Sequence, residues 1–310
     1  MVVRVNQPGR ALLDLAAPLP FPRELLPRDA ARRDAVEQVL AGTAPPPTEM
    51  LLHDRTVAVA TRPLATSGTV VTVLDLTVLR RLETIRRDFV ANVSHELKTP
   101  LTAVTGFAET LLDDSISPDQ RRHFVQTIRD NAGRMQRIVD DLLDLSRIES
   151  GGWRPNAAPI DLNVVVTDVF GAVQATAEQR GTRLVRDIPP GAATVHADAT
   201  ALRQIVGNLV ENAVRYTRAG TITVRTRVGD RGIWVDVLDT GVGIAPEHLP
   251  RIFERFYRVD AGRSREQGGT GLGLAIVRHL VDAHHGRVEA ASVPGRGTTI
   301  SVFLPDGAAA

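Results

Sequence analysis

The sequence predicts a multidomain fold: an N-terminal mixed α/β module, a long two-helix hairpin that dimerises to a four-helix bundle, and a C-terminal α/β sandwich. Three observations predict it. From Leu82 to Leu111 and again from Phe124 to Leu145, apolar side chains recur at three- and four-residue spacing, as in long amphipathic helices. From Pro155 onward, short β-branched runs alternate with helical segments, the pattern of a mixed sheet layered on helices. The chain's 310 residues are enough for two or three separate cores.

Residues 1–80 read as the first module. VVRVN is strand-like, Ala11–Leu15 and Asp29–Leu40 read as helical, and Thr56–Ala60 and Gly68–Asp75 read as paired strands. The pattern, ending in VLDLT before a helix, resembles the later part of a PAS sensor domain whose first strand is missing. The expected domains are 1–80 (partial PAS-like module), 81–153 (hairpin) and 156–306 (sandwich).

Val78–Phe89 is a charged helical connector that runs directly into FVANVSHELKTPLTAVTGFAETLL. Leu82, Ile85, Phe89, Val93, Leu97, Leu101, Val104, Ala108 and Leu111 make one apolar stripe of about eight turns. Ser117, Pro118 and Gln120 start the second helix as N-cap, first-turn proline and capping-box partner. Phe124, Ile128, Met135, Ile138, Leu142 and Leu145 form its stripe, and Gly151–Gly152 ends it. A lone hairpin cannot bury both stripes, so two copies are expected to associate, the plainer alternative being a hairpin packed against another part of the same chain. His95 and Thr99 lie one turn apart on one face, with Glu96 beside the histidine and Pro100 expected to bend the helix. An imidazole is a nucleophile or proton carrier; a lone histidine on a solvated helix face is the plainer reading.

In the C-terminal region Asp161 caps a helix to about Arg180. TRLVRDI and ATVHA are strand-like, and Asp198–Thr217 is strongly amphipathic. Gly220–Val228 and Gly232–Asp239 form a hairpin around Gly229–Asp230. A helix near Leu272–Ala283 and strands at Arg287–Val293 and Thr298–Leu304 complete the sandwich. Three segments carry chemistry. Asn208 and Asn212, one turn apart, present two carbonyl oxygens that suit Mg²⁺ or merely bond nearby loops. Arg215 is suited to phosphate and Tyr216 to a base. Asp239, Gly241, Gly243 and Ile244 follow a strand. A buried carboxylate there needs strong donors, such as the amine of adenine, although the motif also serves as a plain turn. Gly268–Gly269–Thr270–Gly271–Leu272–Gly273 opens a helix, an anion cradle of unpaired amides. It lacks the GK[ST] ending of a P-loop. The intervening loop, Ala245–Gln267, carries FERFYR and is long enough to be a lid.

The order His95, Asn208, Asp239, Phe253, Gly271 resembles the H, N, G1, F and G2 boxes of the sensor histidine kinases of bacterial two-component systems. RRDFVANVSHELKTPLT is similar to the PhoR-like subfamily. The resemblance covers roughly residues 80–305. It implies a GHKL-type (Bergerat) ATP-binding domain, an ATP-dependent autokinase with His95 as phospho-acceptor, and relay to an aspartate of a response regulator. It implies Glu96 as general base and Thr99 as the residue that positions water for dephosphorylating the regulator. Asn208 and Asn212 map onto the Mg²⁺ site, Arg215 and Tyr216 onto nucleotide contacts, and Asp239 onto the adenine-amine acceptor. Gly241, Gly243 and Ile244 fall at the pocket floor, Arg258 at a phosphate-facing position, and Gly269, Thr270, Gly271, Leu272 and Gly273 at the phosphate-side lid hinge. ATP and Mg²⁺ are the implied cofactors, and a homodimer and a response regulator the implied partners. A GHKL ATPase such as gyrase, Hsp90 or MutL shares the nucleotide motifs but gives no role to His95, Glu96 and Thr99. A dimeric scaffold without catalysis is a further reading, opposed by five intact motifs.

The net charge of +1 gives no case for nucleic acid or an anionic membrane as partner. The absence of cysteine excludes disulfides and thiolate metal sites. No apolar run approaches the roughly 18–20 residues of a membrane span. The expectation is a cytoplasmic chain, or the cytoplasmic part of a membrane-anchored sensor.

Overall fold

The computed structural model describes residues 2, 4–16, 18–20, 22, 47–64, 69–113, 115–150, 152–259 and 269–307. The chain divides into two compact units, Met1–Ala91 and Asn92–Ala310.

In the first unit, β1 (Thr48–Leu52), β2 (Arg55–Pro63) and β3 (Thr69–Asp75) form an antiparallel sheet in that order. The strand β1 was absent from the sequence reading. Inward residues of β1 and β2 alternate with outward ones, so Met50, Leu52, Val57 and Val59 gather around Leu13 as a small core. Among the described residues of the expected VVRVN strand, Val2 makes only an isolated bridge and Arg4–Asn6 are irregular. The helix α1 covers Gln7–Leu12 and not Ala11–Leu15, because Asn6 caps it: its Oδ1 accepts from the Gly9 amide at 2.9 Å. The expected helix Asp29–Leu40 lies outside the described residues. Asp75 starts the next helix, accepting from the Thr77 amide at 2.9 Å.

That helix, α2 (Thr77–Thr110), runs through Pro100, and α3 (Pro118–Glu149) returns from it. The α3 start is the capping box read from the sequence. Ser117 Oγ accepts from the Gln120 amide at 3.3 Å, and Gln120 Oε1 accepts from the Ser117 amide at 3.2 Å. Near this end of the hairpin the rings of Phe107 and Phe124 meet at 5.2 Å. Further along, Ile138 and Leu145 are fully buried, whereas Leu101, Val125 and Leu143 are about half exposed.

The remaining chain forms the sandwich. A five-stranded sheet runs β5 (Arg183–Asp187), β7 (Thr221–Gly229), β8 (Gly232–Asp239), β10 (Gly297–Pro305), β9 (Arg287–Val293); β5 and β7 are parallel and the other pairs antiparallel. A small second sheet pairs β4 (Ala158–Asp161) with β6 (Thr194–Ala197); β4 was not anticipated. Helices α4 (Leu162–Gln179), α5 (Ala199–Tyr216) and α6 (Gly273–Ala283) form the helical layer. Asp161 caps α4 as expected, and Asp198, read as the first residue of the next helix, caps α5. Leu202, Ile205, Val206 and Leu209 of α5 and Ile222 and Val224 of β7 belong to a core with almost no exposure. The β7–β8 turn is centred one residue later than expected, on Asp230–Arg231, because Gly229 pairs with Gly232 in the ladder. Arg231 takes the left-handed conformation there, with φ of 57°. The sheet and α5 thus form a rigid wall on which one concave site is built.

Candidate active site

A cavity of about 870 Å³ lies against α5, the end of β8 and the start of α6. Asn208, Asn212 and Arg215, each spaced to fall near one face of α5, line it, as do Tyr216, Asp239 and Gly269–Gly271. The sequence-predicted residues of the α/β domain therefore converge.

Asp239 ends β8 with its carboxylate toward the cavity. Its Oδ1 accepts from the Gly241 amide at 2.8 Å and the Thr298 amide at 3.3 Å. Burial pushes its pKa above the usual carboxylate range, although these two amides pull the other way. A further donor at the carboxylate would relieve that cost. Gly243 forms the floor with φ of +69°, and a Cβ there would come within 2.2 Å of the Val293 carbonyl oxygen. Only glycine fits that turn. Beside it the Ile244 amide donates to Ser292 Oγ at 2.8 Å.

At the other end of the cavity the glycine-rich segment closes on α5. A Cβ at Gly269 would lie 2.8 Å from Arg215 Nη1, so the bare backbone here lets the guanidinium lie close against it. Arg215 bonds Asn212 Oδ1 at 3.3 Å. Burial lowers its pKa, and the nearby cations Arg137 and Arg258 add to that effect against Tyr216 and Glu211. Two partly buried guanidiniums, Arg215 and Arg258, with the exposed Arg137 nearby, attract a polyanion. The Phe256 amide donates to the Gly271 carbonyl at 2.8 Å, tying the FERFYR loop to the glycine segment, and Leu272 is fully buried behind it. Residues 260–268, including the rest of the expected lid and Gly268, lie outside the described residues.

His95 and Thr99 are exposed on α2, and Thr99 Oγ1 donates to the His95 carbonyl at 3.2 Å. Glu96 is turned the other way, largely buried, and accepts from Arg134 at 2.9 Å and from Arg258 at 3.1 Å. Arg258 also lines the cavity and donates to the Gly269 carbonyl. The hairpin supplies two cavity residues that sequence reasoning missed, Arg137 and Asp141. Thr270 Oγ1 donates to Asp141 Oδ2 at 2.8 Å. Burial, with Asp144, Glu211 and Asp140 nearby, raises the Asp141 pKa against the Thr270 bond. Neither residue nor Arg134 carries a local signal, since each partner is distant in the chain.

The donor set suits a nucleotide. It offers a buried acceptor at one end, cations and bare backbone at the other, and two amide side chains on α5 between them. Among the described residues no cluster of three or more histidine, cysteine or acidic side chains could hold a metal by itself. A divalent ion here would need neutral amide oxygens completed by phosphate. No described helix is long and apolar enough to cross a membrane.

Comparison with known proteins agrees with this geometry. Residues 85–151 match the family described as "His Kinase A (phospho-acceptor) domain", and residues 197–308 match "Histidine kinase-, DNA gyrase B-, and HSP90-like ATPase". The chain is 43% identical over 237 residues to the phosphate regulon sensor protein PhoR of Pseudomonas aeruginosa, covering 75% of this chain and 53% of that protein. It is 38% identical to the sensor-like histidine kinase SenX3 of Mycolicibacterium smegmatis, over 73% of this chain and 59% of the relative. The solved structure of the Acinetobacter baumannii histidine kinase AdeS superposes with a TM-score of 0.58 at 25% identity, over 69% of this chain and 98% of that one. The chain spans about half the length of the curated relatives it matches. With its phospho-acceptor hairpin followed by a GHKL-type ATPase domain, the chain belongs to the sensor histidine kinases and is PhoR-like.

Proposed function

We propose that the chain is an ATP-dependent protein histidine autokinase that relays its phosphoryl group to an aspartate of a response regulator. The observation that carries this reading is the Glu96–Arg258 ion pair at 3.1 Å. It joins the residue beside the candidate phospho-acceptor to a cavity whose chemistry fits ATP, within one compact unit. In this reading Asp239 accepts the adenine amine, Tyr216 lies along the base, and Arg215, Arg258 and the amides of Gly269–Gly273 neutralise phosphate. Asn208 and Asn212 would hold Mg²⁺, which would supply charge neutralisation to the phosphates. The residues mainly position groups and offset charge, which is what phosphoryl transfer asks of a protein. An imidazole nitrogen of His95 attacks the γ-phosphorus. A P–N bond forms, the bond to the β,γ-bridging oxygen breaks, and ADP departs with that oxygen. Glu96 takes the proton from the other ring nitrogen. The phosphoryl group then passes to the carboxylate of the regulator, restoring the imidazole.

Further assignments follow from the same reading. The half-exposed stripe on the hairpin is covered by a second copy of the chain, giving a four-helix bundle. Thr99, one turn beyond His95 and exposed, orients water for removing phosphate from the regulator. Residues 1–80 serve as a partial PAS-like input module, supported by the β1–β3 sheet ahead of α2.

Radiolabelled ATP tests the reading. The expected result is protein-bound label that survives alkali, is lost in acid, and is absent in His95→Ala. Wild-type protein that takes no label overturns it.

A further inference from the structure

The Glu96 carboxylate is shared between the hairpin and the α/β domain. Its Oε2 accepts from Arg134 Nη2 at 2.9 Å and from Arg258 Nη2 at 3.1 Å, and its Oε1 accepts from Arg258 Nη1 at 3.3 Å. The three side chains are 15%, 11% and 8% exposed, so water screens them little. Arg134 reaches across from α3, within the hairpin. Arg258 comes from the α/β domain, where it lines the cavity and donates to the Gly269 carbonyl. The donor edge it turns to the carboxylate is the kind of edge that would clamp a phosphate.

We propose that Glu96 and the phosphates of the nucleotide compete for Arg258, so that nucleotide arrival and the freeing of Glu96 are one event. The inference rests on the autokinase reading. A polyphosphate carries more charge than one carboxylate and offers Arg258 a bidentate partner inside the cavity. When Arg258 turns to it, Arg134 still holds Glu96 through Oε2, so no unpaired charge is left in the hairpin. Oε1 is then released from its cation. Arg134 is thus a positioning residue for the base, and Arg258 reports to the hairpin whether phosphate is present. Linkage makes the effect reciprocal. If phosphate weakens the Arg258–Glu96 pair, Glu96 weakens phosphate binding by the same factor.

Titration calorimetry of the purified chain with Mg-ATP and with adenosine tests this without reference to catalysis. Glu96→Gln, nearly isosteric and uncharged, is expected to tighten ATP binding about fivefold and to leave adenosine binding unchanged. Arg134→Gln acts in the opposite direction: Glu96, relieved of its other partner, holds Arg258 harder, and ATP binding weakens about threefold. In an Arg258→Ala background, Glu96→Gln is expected to shift ATP affinity less than about twofold. Adenosine bound with wild-type affinity shows that the pocket of each variant is folded. Glu96→Gln that binds ATP no tighter than wild type, or tightens ATP and adenosine alike, overturns the competition. So does Arg134→Gln that fails to weaken ATP. Wild-type protein that binds adenosine but not ATP overturns the autokinase reading instead.

Discussion

Helix α5 of the α/β domain and helix α3 of the hairpin both carry apolar stripes, yet α5 buries eight of its 18 residues and α3 two of its 32. The difference is one of neighbours. Helix α5 packs on α4, α6 and the sheet, so its stripe meets apolar surface along its whole length. Helix α3 meets α2 through contacts such as Phe107–Phe124 and Arg134–Glu96, and it meets α6 near its C-terminal end; Ile138 and Leu145 are its buried residues. Val125 and Leu143 of α3, and Leu101 of α2, keep about half their surface in water. One region therefore completes its own core, and the other offers a surface that needs a second partner. The division suits the proposed chemistry: a nucleotide site requires walls fixed in advance, whereas a phospho-acceptor must meet first the nucleotide and then the regulator.

The sharpest way to break this comparison is to remove a side chain from each region. Leu202→Ala empties a fully buried site between α5 and the sheet and is expected to destabilise the α/β domain by about 3 kcal/mol. A shifted urea midpoint with unchanged slope would check it. Leu101→Ala should hardly alter the single chain and act on association instead. Covering its exposed half in a partner is worth about 1 kcal/mol, or about 2 kcal/mol for two copies. The dimer dissociation constant should therefore rise roughly 30-fold, as read by sedimentation equilibrium. A Leu101→Ala variant that unfolds like Leu202→Ala, with no change in association, would show that the hairpin completes its core within one chain.

Asp239 sharpens the comparison at the site itself. Asp239→Ala removes a charged acceptor and is expected to weaken ATP by about 2 kcal/mol, near 30-fold, in the same calorimetric titration. Its titration gives a second, signed outcome. The pKa of Asp239 is raised by burial in the folded state, so the folded protein holds this proton more tightly than the unfolded chain. The destabilisation from the buried carboxylate is present above the raised pKa. It is relieved as pH falls through that value toward the ordinary aspartate range of about 4. Over this window, acidification should weaken nucleotide binding while the contribution of Asp239 to stability improves. Asp239→Asn should remove both trends.

How much was legible in the sequence follows the same division. Asp161 and Ser117 were read correctly as caps because a cap is a local bond within three residues. The convergence of Asn212, Asp239 and Gly271 was readable because each motif sits at an element end with its own local grammar. The short strand β4 was missed: it pairs with β6 across some 36 residues of chain and has no alternation of its own. Arg134, Arg137 and Asp141 were missed for a related reason. On a helix this rich in charge, nothing local separates an arginine that meets Glu96 from one that meets water. The N-terminal helix was misplaced because apolar Ala11–Leu15 outweighed Asn6, whose cap sets the true start.

The smallest expected effect asks whether the hairpin folds as one unit with the α/β domain. Ser117 caps α3 at the end where α2 gives way to it, and Ser117→Ala should cost about 1 kcal/mol, both bonds of the capping box being disturbed. Helix α3 is also in contact with α6, and Glu149 near its C-terminus accepts from His279 at 3.1 Å if that imidazole is protonated. Burial lowers the pKa of His279 despite Glu149, so at neutral pH this contact adds little charge attraction. The coupling between hairpin and α/β domain then rests on apolar packing, on the Glu96–Arg258 and Glu149–Arg255 ion pairs and on contacts such as Thr270–Asp141. Amide hydrogen exchange distinguishes the outcomes. If the hairpin opens independently, Ser117→Ala should lower protection about fivefold from Phe124 to Asn131 and leave β8 unchanged. If the two parts unfold together, the same loss should appear in the slowest amides of both α3 and β8. The first result is expected, because the end of the hairpin that Ser117 caps is held mainly by the Phe107–Phe124 contact and its half-covered stripe.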